Sequence, residues 1–326
     1  MQGRMGTAGA ESADQHQANR FQPRLLETYL KITMLGTGAA LPDPDRAQSS
    51  ILVTLDNGRN YLFDCGEGST RQMVRANINP ADVGWVFISH LHYDHVCGLP
   101  FFVLSSWVFN REGRLQVFGP RGTQDFVDHS FENGAYRVDI QARAAYGVRQ
   151  KNIEAVRPAV TEVAPGLIYQ DEDVKIFVDL VEHIPSEITD CFGIRLEAEG
   201  KVVAFSGDTA PCEAMVRLAK DADLLIHECT FPESFLAHRA KSGVGTYSHT
   251  SPLELGKIAT RANVSALVGT HFGHFDSTSP VIKRAAGNHL PIELMGPDLM
   301  EEVVRDLRKN YAGPLRLAHD LMRIDL

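Results

Sequence analysis

Trp85-Val86-Phe87-Ile88-Ser89-His90-Leu91-His92-Tyr93-Asp94-His95 is the stretch that decides the fold. The run Trp85–Ile88 is wholly apolar and reads as a buried strand. It gives way at once to three imidazoles and one carboxylate between positions 90 and 95. Four such groups so close together exceed what ordinary hydrogen bonding satisfies. The stretch therefore predicts a turn at the C-terminal end of a strand, presenting ligands to a divalent metal. Short His-rich runs also occur on solvated loops, but the strand directly before this one favours the ligand reading.

Five further apolar runs end in the same manner. Tyr61-Leu62-Phe63 leads to Asp64-Cys65-Gly66-Glu67-Gly68, and Val174–Val181 to His183. Val202-Val203-Ala204-Phe205 leads to Ser206-Gly207-Asp208-Thr209, Leu224-Leu225-Ile226 to His227-Glu228, and Ala266-Leu267-Val268 to Gly269-Thr270-His271. Adjacent strands deliver such residues side by side to one crevice.

Lys31–Leu35, Ile51–Leu55, Leu115–Phe118 and Cys191–Leu196 read as additional strands, with Asp56-Asn57-Gly58 turning a hairpin. Helices are expected at Thr70–Ala76, Leu99–Phe109, Ala214–Lys220 and Pro252–Arg261. One more would open at Asp298 as N-cap, with Leu299, Val303, Leu307 and Tyr311 on one face. Leu315–Leu326 would add a last strand. Helices and strands alternating without a Pro/Ser-rich linker predict an α/β architecture. The expected organisation is a polar tail over residues 1–24 and a single domain over 25–326.

The composition sets bounds on function. A hydrophobic fraction of 44% and a charged fraction of 22% are those of a soluble globular protein. The net charge of −9 provides no global basic footprint for a phosphate backbone and leaves room only for a local basic patch. The five cysteines are scattered and form no C-x-x-C pair, which disfavours a disulfide framework or a thiolate zinc site. No run of about 18 apolar residues suggests a membrane span, and the polar N-terminal stretch is unlike a secretory signal. The expected location is the cytoplasm.

The order of these strand-end motifs resembles the metallo-β-lactamase superfamily, whose signature is His-x-His-x-Asp-His. Within it the pattern is most similar to the tRNase Z (ribonuclease Z) group. Leu35-Gly36-Thr37-Gly38-Ala39-Ala40-Leu41-Pro42, Asp64–Gly68, Gly98-Leu99-Pro100, Gly119-Pro120-Arg121-Gly122, Ser206–Thr209 and His227-Glu228-Cys229-Thr230-Phe231 follow that group's motifs in order. Gly36-Thr37-Gly38 is not a dinucleotide fingerprint, because position 41 is Leu where a third glycine is needed.

The resemblance implies an αβ/βα four-layer sandwich around a binuclear hydrolytic centre. Carried over, His90, His92 and His183 hold one metal, Asp94, His95 and His271 hold the other, and Asp208 bridges both. The cofactors implied are two divalent ions, zinc first, with manganese or iron as alternatives, and the attacking group is a metal-bridging hydroxide. Asp64 would orient an imidazole ligand. Glu228 and His249 would form a proton relay that protonates the leaving oxygen, so that Asp94, Glu228 and His249 are the candidate catalytic residues. A capping role for Ser248-His249-Thr250 ahead of a helix opened by Pro252 is the competing reading of His249. His227 would pack behind the site, His274 could reach it, and His16, His129, His238, His289 and His319 have no ligand context.

Three departures from the tRNase Z pattern bear on substrate. Only 25 positions separate His183 from Asp208, room for two strands and a turn but not for a tRNA-clamping arm. Tyr93 stands where the group has Gly, and would narrow the mouth or touch substrate. His271 is followed by Phe272-Gly273-His274-Phe275, without the Ser and Arg of the group. The expected activity is therefore a phosphodiesterase on small phosphodiesters such as a cyclic nucleotide. The alternatives are another ester class (aryl sulfate, lactone, carboxyl ester or organophosphate) or tRNA 3′-end cleavage, and last a non-catalytic scaffold. The expected partner is a small ester, with nucleic acid disfavoured and no membrane, and a homodimer is a family expectation. Asp128–Pro165, with Tyr136, Arg137, Arg143, Tyr146, Arg149 and Lys151, would be a lid, a dimer contact or a solvated excursion.

Overall fold

A computed structural model describes residues 29–241, 248–287 and 295–326. The expected tail over 1–24 lies outside the described residues, as do His16 and His289. The first sheet contains β1 (Lys31–Gly36), β2 (Ser50–Thr54), β3 (Asn60–Phe63), β4 (Val83–Phe87), β5 (Gln116–Gly119) and β6 (Ala159–Glu162). The second contains β7 (Gly166–Gln170), β8 (Val174–Leu180), β9 (Phe192–Ala198), β10 (Lys201–Phe205), β11 (Leu224–Glu228), β12 (Leu267–Thr270) and β13 (Leu315–Leu317). The last strand, β14 (Arg323–Asp325), crosses back to the first sheet and pairs antiparallel with β1.

The expected final strand over Leu315–Leu326 is thus two short strands in different sheets. Leu321, with φ of 63°, and the turn at His319–Met322 break it. Asp298 likewise is the first residue of its helix, Asp298–Arg308, and not its cap; Pro297 stands at the N-cap. The other boundaries differ from expectation by a residue or two, as helix and strand ends commonly do.

Three apolar clusters separate the layers. Between the sheets lie Ile51, Phe63, Phe87, Ile194, Phe205 and Ile226. Phe63 and Phe205 stack across this interface with ring centroids 4.4 Å apart. Outside the first sheet, Met73, Leu99, Phe102, Trp107 and Val127 come from helices Ser69–Arg75, Leu99–Val108 and Thr123–Ser130. Outside the second, Met215, Phe235, Leu255, Ile258, Val303 and Leu307 come from Glu213–Leu218, Glu233–Lys241, Pro252–Arg261 and Asp298–Arg308. The order is helix, sheet, sheet, helix: the expected αβ/βα sandwich. No described helix is long and apolar enough to cross a membrane.

Topology brings the ligand-bearing ends together. β3, β4 and β5 run parallel, as do β10, β11 and β12, so their C-terminal ends share an edge. β8 and β10 are each antiparallel to β9, so β8 also ends on that edge. The 25 positions from His183 to Asp208 hold the β9–β10 hairpin, as their number required. β11 runs on through His227 and Glu228, because Glu228 still pairs with Thr270.

Segment 128–165 folds as helices Arg137–Ala144 and Gly147–Gln150 followed by β6, and is tied to the first helix layer. Trp107 Nε1 donates to Asn152 Oδ1 at 3.1 Å, and Arg149 Nη1 to Asn110 Oδ1 at 2.8 Å.

Phe205→Ala is expected to cost about 3–5 kcal/mol, from lost burial and the cavity left between the sheets. Urea denaturation checks this. The midpoint should fall with an unchanged slope, and an unchanged midpoint would mean the inter-sheet layer repacks freely.

Candidate metal centre

At the end of β4 the chain makes a single helical turn, Tyr93–Val96, with His92 at its N-cap. That turn puts Asp94 and His95 on one side, facing the end of the second sheet. Gly66 permits the approach: a Cβ there would sit 2.2 Å from the Asp94 carbonyl oxygen. Gly207, at φ 56°, turns the chain after β10 so that Asp208 points into the gap between the sheets. His271 itself adopts φ 57°, a conformation unusual for a residue with a Cβ.

Its neighbours hold His271 in that shape. Phe272 N donates to Thr37 O at 2.9 Å and Ala39 N to Phe272 O at 3.0 Å. Arg46 lies over the Phe272 ring, pairs with Asp276 at 2.7 Å, and donates to Thr37 Oγ1 and the Ala318 carbonyl. Asp320 accepts from Thr37, Ala47 and Gln72, locking the β1–β2 loop beside the site.

The seven candidate ligands converge as two groups sharing one carboxylate. His90, His92, His183 and Asp208 form the first, and Asp94, His95, Asp208 and His271 the second; within each, one donor atom per residue lies within 4.8 Å of the others. Asp208 faces both. Its Oδ2 is 3.9 Å from His90 Nε2 and 3.6 Å from His183 Nε2. Its Oδ1 is 3.4 Å from His95 Nε2 and 3.3 Å from His271 Nε2.

The tautomers follow from what each ring touches on its other side. His183 Nδ1 lies 2.8 Å from the Ser248 carbonyl, which can only accept, so Nε2 carries the lone pair. His95 Nδ1 donates to Asp64 Oδ2 at 2.7 Å, which turns the ring's Nε2 toward the gap. Ser89 Oγ donates to the same Asp64 oxygen and lies 3.0 Å from His90 Nδ1, whose proton it accepts. His92 alone turns Nδ1 inward, 3.2 Å from His90 Nε2 and 3.0 Å from His183 Nε2.

Protonation favours ligation in the first group. Burial, then His95, holds His90 well below its ordinary range, and burial also lowers His92 and His183, so these rings keep neutral lone pairs. Burial opposes charge on Asp208, but His271 and His95 outweigh it and hold the carboxyl well below the usual range. His95 is raised well above its ordinary value, since Asp208 and Asp64 overcome the effect of burial. Asp208 Oδ1 is buried without a hydrogen-bond partner. An anionic oxygen so placed, beside the inward lone pairs of the first group, fits a divalent cation.

Beside the first group, His249 Nδ1 donates to Glu228 Oε1 at 3.0 Å, and its ring lies 5.1 Å from that of His183. Glu228 is buried, while the His249 side chain keeps 20% exposure at the mouth. Burial opposes the imidazolium, yet Glu228 raises His249 to about 9. The cap of helix Pro252–Arg261 is Ser251, whose side chain accepts from Glu254 N at 3.3 Å, so His249 is not spent on capping.

The remaining sequence candidates fall outside the centre. His227 is buried behind it, with Nδ1 against the Glu228 carbonyl. His274 packs against the Phe235 ring. His129 and His319 bond neighbouring carbonyls, and His238 joins neither ligand group. Cys65 and Cys229 are fully buried, and burial raises both thiols, which suits packing and not nucleophilic attack. Tyr93 donates its hydroxyl to the Ala40 carbonyl at 2.5 Å while its ring stays 56% exposed at the mouth. Sequence reasoning missed Ser89 and Thr230, two buried hydroxyls; the signal was their position beside His90 and two residues after Glu228.

A sequence profile of the anti-Pycsar protein Apyc1 family matches residues 30–249, which take in every candidate ligand except His271. The chain belongs to this family. It is also 30% identical over 304 residues to the ribonuclease Z of Methanothermobacter thermautotrophicus, covering 85% of this chain and 97% of that one. Two solved structures share its fold. The metallo-β-lactamase fold protein YhfI from Bacillus subtilis has a TM-score of 0.64 at 18% identity, over 91% of this chain and all of that one. The short form of human tRNase Z has a TM-score of 0.63 at 23% identity, over 90% and 98%. The Apyc1-family chain is thus a metallo-β-lactamase fold protein and a metal-dependent hydrolase of ribonuclease Z-like sequence.

Asp208→Ala is expected to deplete bound metal from this chain. Elemental analysis after dialysis should show under half the wild-type metal; near-full content would remove Asp208 from the ligand set.

Proposed function

We propose that this protein is a binuclear metal phosphodiesterase acting on small phosphodiesters, with cyclic nucleotides as the leading class. The observation that carries the reading is the Glu228–His249 pair, 3.0 Å apart and set beside the first ligand group with His249 at the mouth. An alkoxide is a poor leaving group without a proton, and His249 is an acid held charged by a buried carboxylate. Hydrolysis of a substrate with an activated leaving group would not need that pair.

His90, His92 and His183 would hold one ion, Asp94, His95 and His271 a second, and Asp208 would touch both. Imidazole and carboxylate donors suit zinc first, with manganese or iron as alternatives. Bound there, two divalent ions would supply an activated water near neutral pH and neutralise charge developing on phosphoryl oxygens. The chain's own groups do the rest. Asp64 and Ser89 keep His95 and His90 in the liganding tautomer, Glu228 orients His249, and His249 delivers its proton to the departing oxygen.

Small substrates are supported by the short β9–β10 hairpin between His183 and Asp208 and by the net charge of −9. The second reading, cleavage of tRNA 3′ ends, is favoured by the ribonuclease Z relatives. Aryl sulfates, lactones, carboxyl esters and organophosphates remain lesser alternatives for the same centre.

Metal-loaded protein is expected to open cyclic nucleotides to linear monoesters and to leave a tRNA precursor intact. Cleavage of the precursor alone would reverse the assignment. His249→Ala should lower turnover of alkyl-leaving-group phosphodiesters by on the order of 10²-fold while sparing nitrophenyl phosphodiesters. An equal loss on both would take His249 out of the acid role.

A further inference from the structure

Thr230 sits where three functional side chains meet. Its Oγ1 is 2.7 Å from Glu228 Oε2, 3.0 Å from His271 Nδ1 and 3.3 Å from His249 Nδ1. The hydroxyl has one proton to give. An ionised Glu228 can only accept at 2.7 Å, so the proton goes there. The lone pairs left on Oγ1 then accept from His271 Nδ1–H. His249 Nδ1 already donates to the other Glu228 oxygen, at 3.0 Å.

Thr230 is fully buried, and its own amide donates to Glu228 Oε2 at 3.1 Å, which fixes the hydroxyl on the carboxylate side of the His271 ring. With its proton at Nδ1, His271 has its lone pair at Nε2, the atom that faces Asp94 Oδ2 and Asp208 Oδ1 at 3.3 Å each.

The first sheet contains the same device. Ser89 Oγ donates to Asp64, which directly holds His95, and accepts from His90. Each buried carboxylate therefore fixes one imidazole itself and a second through a hydroxyl.

We propose that Thr230 is a positioning residue that sets the His271 tautomer and thereby couples the Glu228–His249 pair to the second metal group. The inference rests on the metal-centre reading above. Removing the hydroxyl frees His271 to take the other tautomer, which turns an N–H toward the ion. The loss is confined to one of the two ions, because His90, His92 and His183 do not touch Thr230.

Zinc-loaded wild type, Thr230→Val and Thr230→Ser are titrated with a chromophoric chelator, and the zinc released per chain is counted. Losing a partner behind a ligating imidazole weakens metal binding by about 10–100-fold. Thr230→Val is expected to give up one ion at correspondingly lower chelator concentration and to keep the other at wild-type affinity. Thr230→Ser, which restores the hydroxyl, should release both ions as wild type does.

If Thr230→Val fails to fold, Thr230→Ala serves with the same expected release. Both ions held at wild-type affinity in the hydroxyl-free variant, or a Ser variant no better than Val, would overturn the role of Thr230 alone. Wild type binding one ion would instead reject the two-ion reading, and binding none would reject the metal centre itself.

Discussion

The structure depends on a polar convergence that internal hydrogen bonding does not satisfy. Five imidazoles and two carboxylates point donor atoms at one gap between the sheets. Buried groups that face one another as acceptors repel unless a cation or proton lies between them. Burial disfavours a proton on His90, His92 and His183, so within that group a cation is the neutralising charge that fits. The sandwich exists around that requirement: parallel strands in each sheet end on one edge, and the inter-sheet aromatic layer of Phe63, Phe87 and Phe205 fixes how closely the edges approach.

Behind the ligands lies a second set of polar groups that gives the site its specificity of form. Asp64 and Glu228 are buried carboxylates, each anchored by backbone amides: Ser89 N for Asp64, and Thr209, Thr230 and Thr250 N for Glu228. Anchored carboxylates hold rings, and ring orientation decides which nitrogen faces the gap. The same logic places Glu228 against both His249 and, across Thr230, His271. Arg46, from the opposite end of the chain, joins Asp276 and Asp320 in supporting the strained His271 turn.

Much of this was legible in the sequence. A strand followed at once by His90, His92, Asp94 and His95 is informative because strand ends have few other reasons to gather ligands. The other strand ends then located His183, Asp208, Glu228 and His271. The hydroxyl links were not legible, because Ser89 and Thr230 are residue types common at any strand end and acquire meaning only from a third partner distant in sequence. The Arg46–Asp276 and Thr37–Asp320 contacts join residues more than 200 positions apart, and no local pattern announces them. The split of the C-terminal segment into β13 and β14 was hidden for a similar reason. The mixed apolar and charged pattern of Leu315–Leu326 does not say which sheet each part will join.

The most direct measurement is anomalous diffraction from crystals grown with zinc. The account predicts two peaks per chain, one among His90, His92, His183 and Asp208 and one among Asp94, His95, His271 and Asp208. A single peak, or none within this gap at saturating metal, would contradict it.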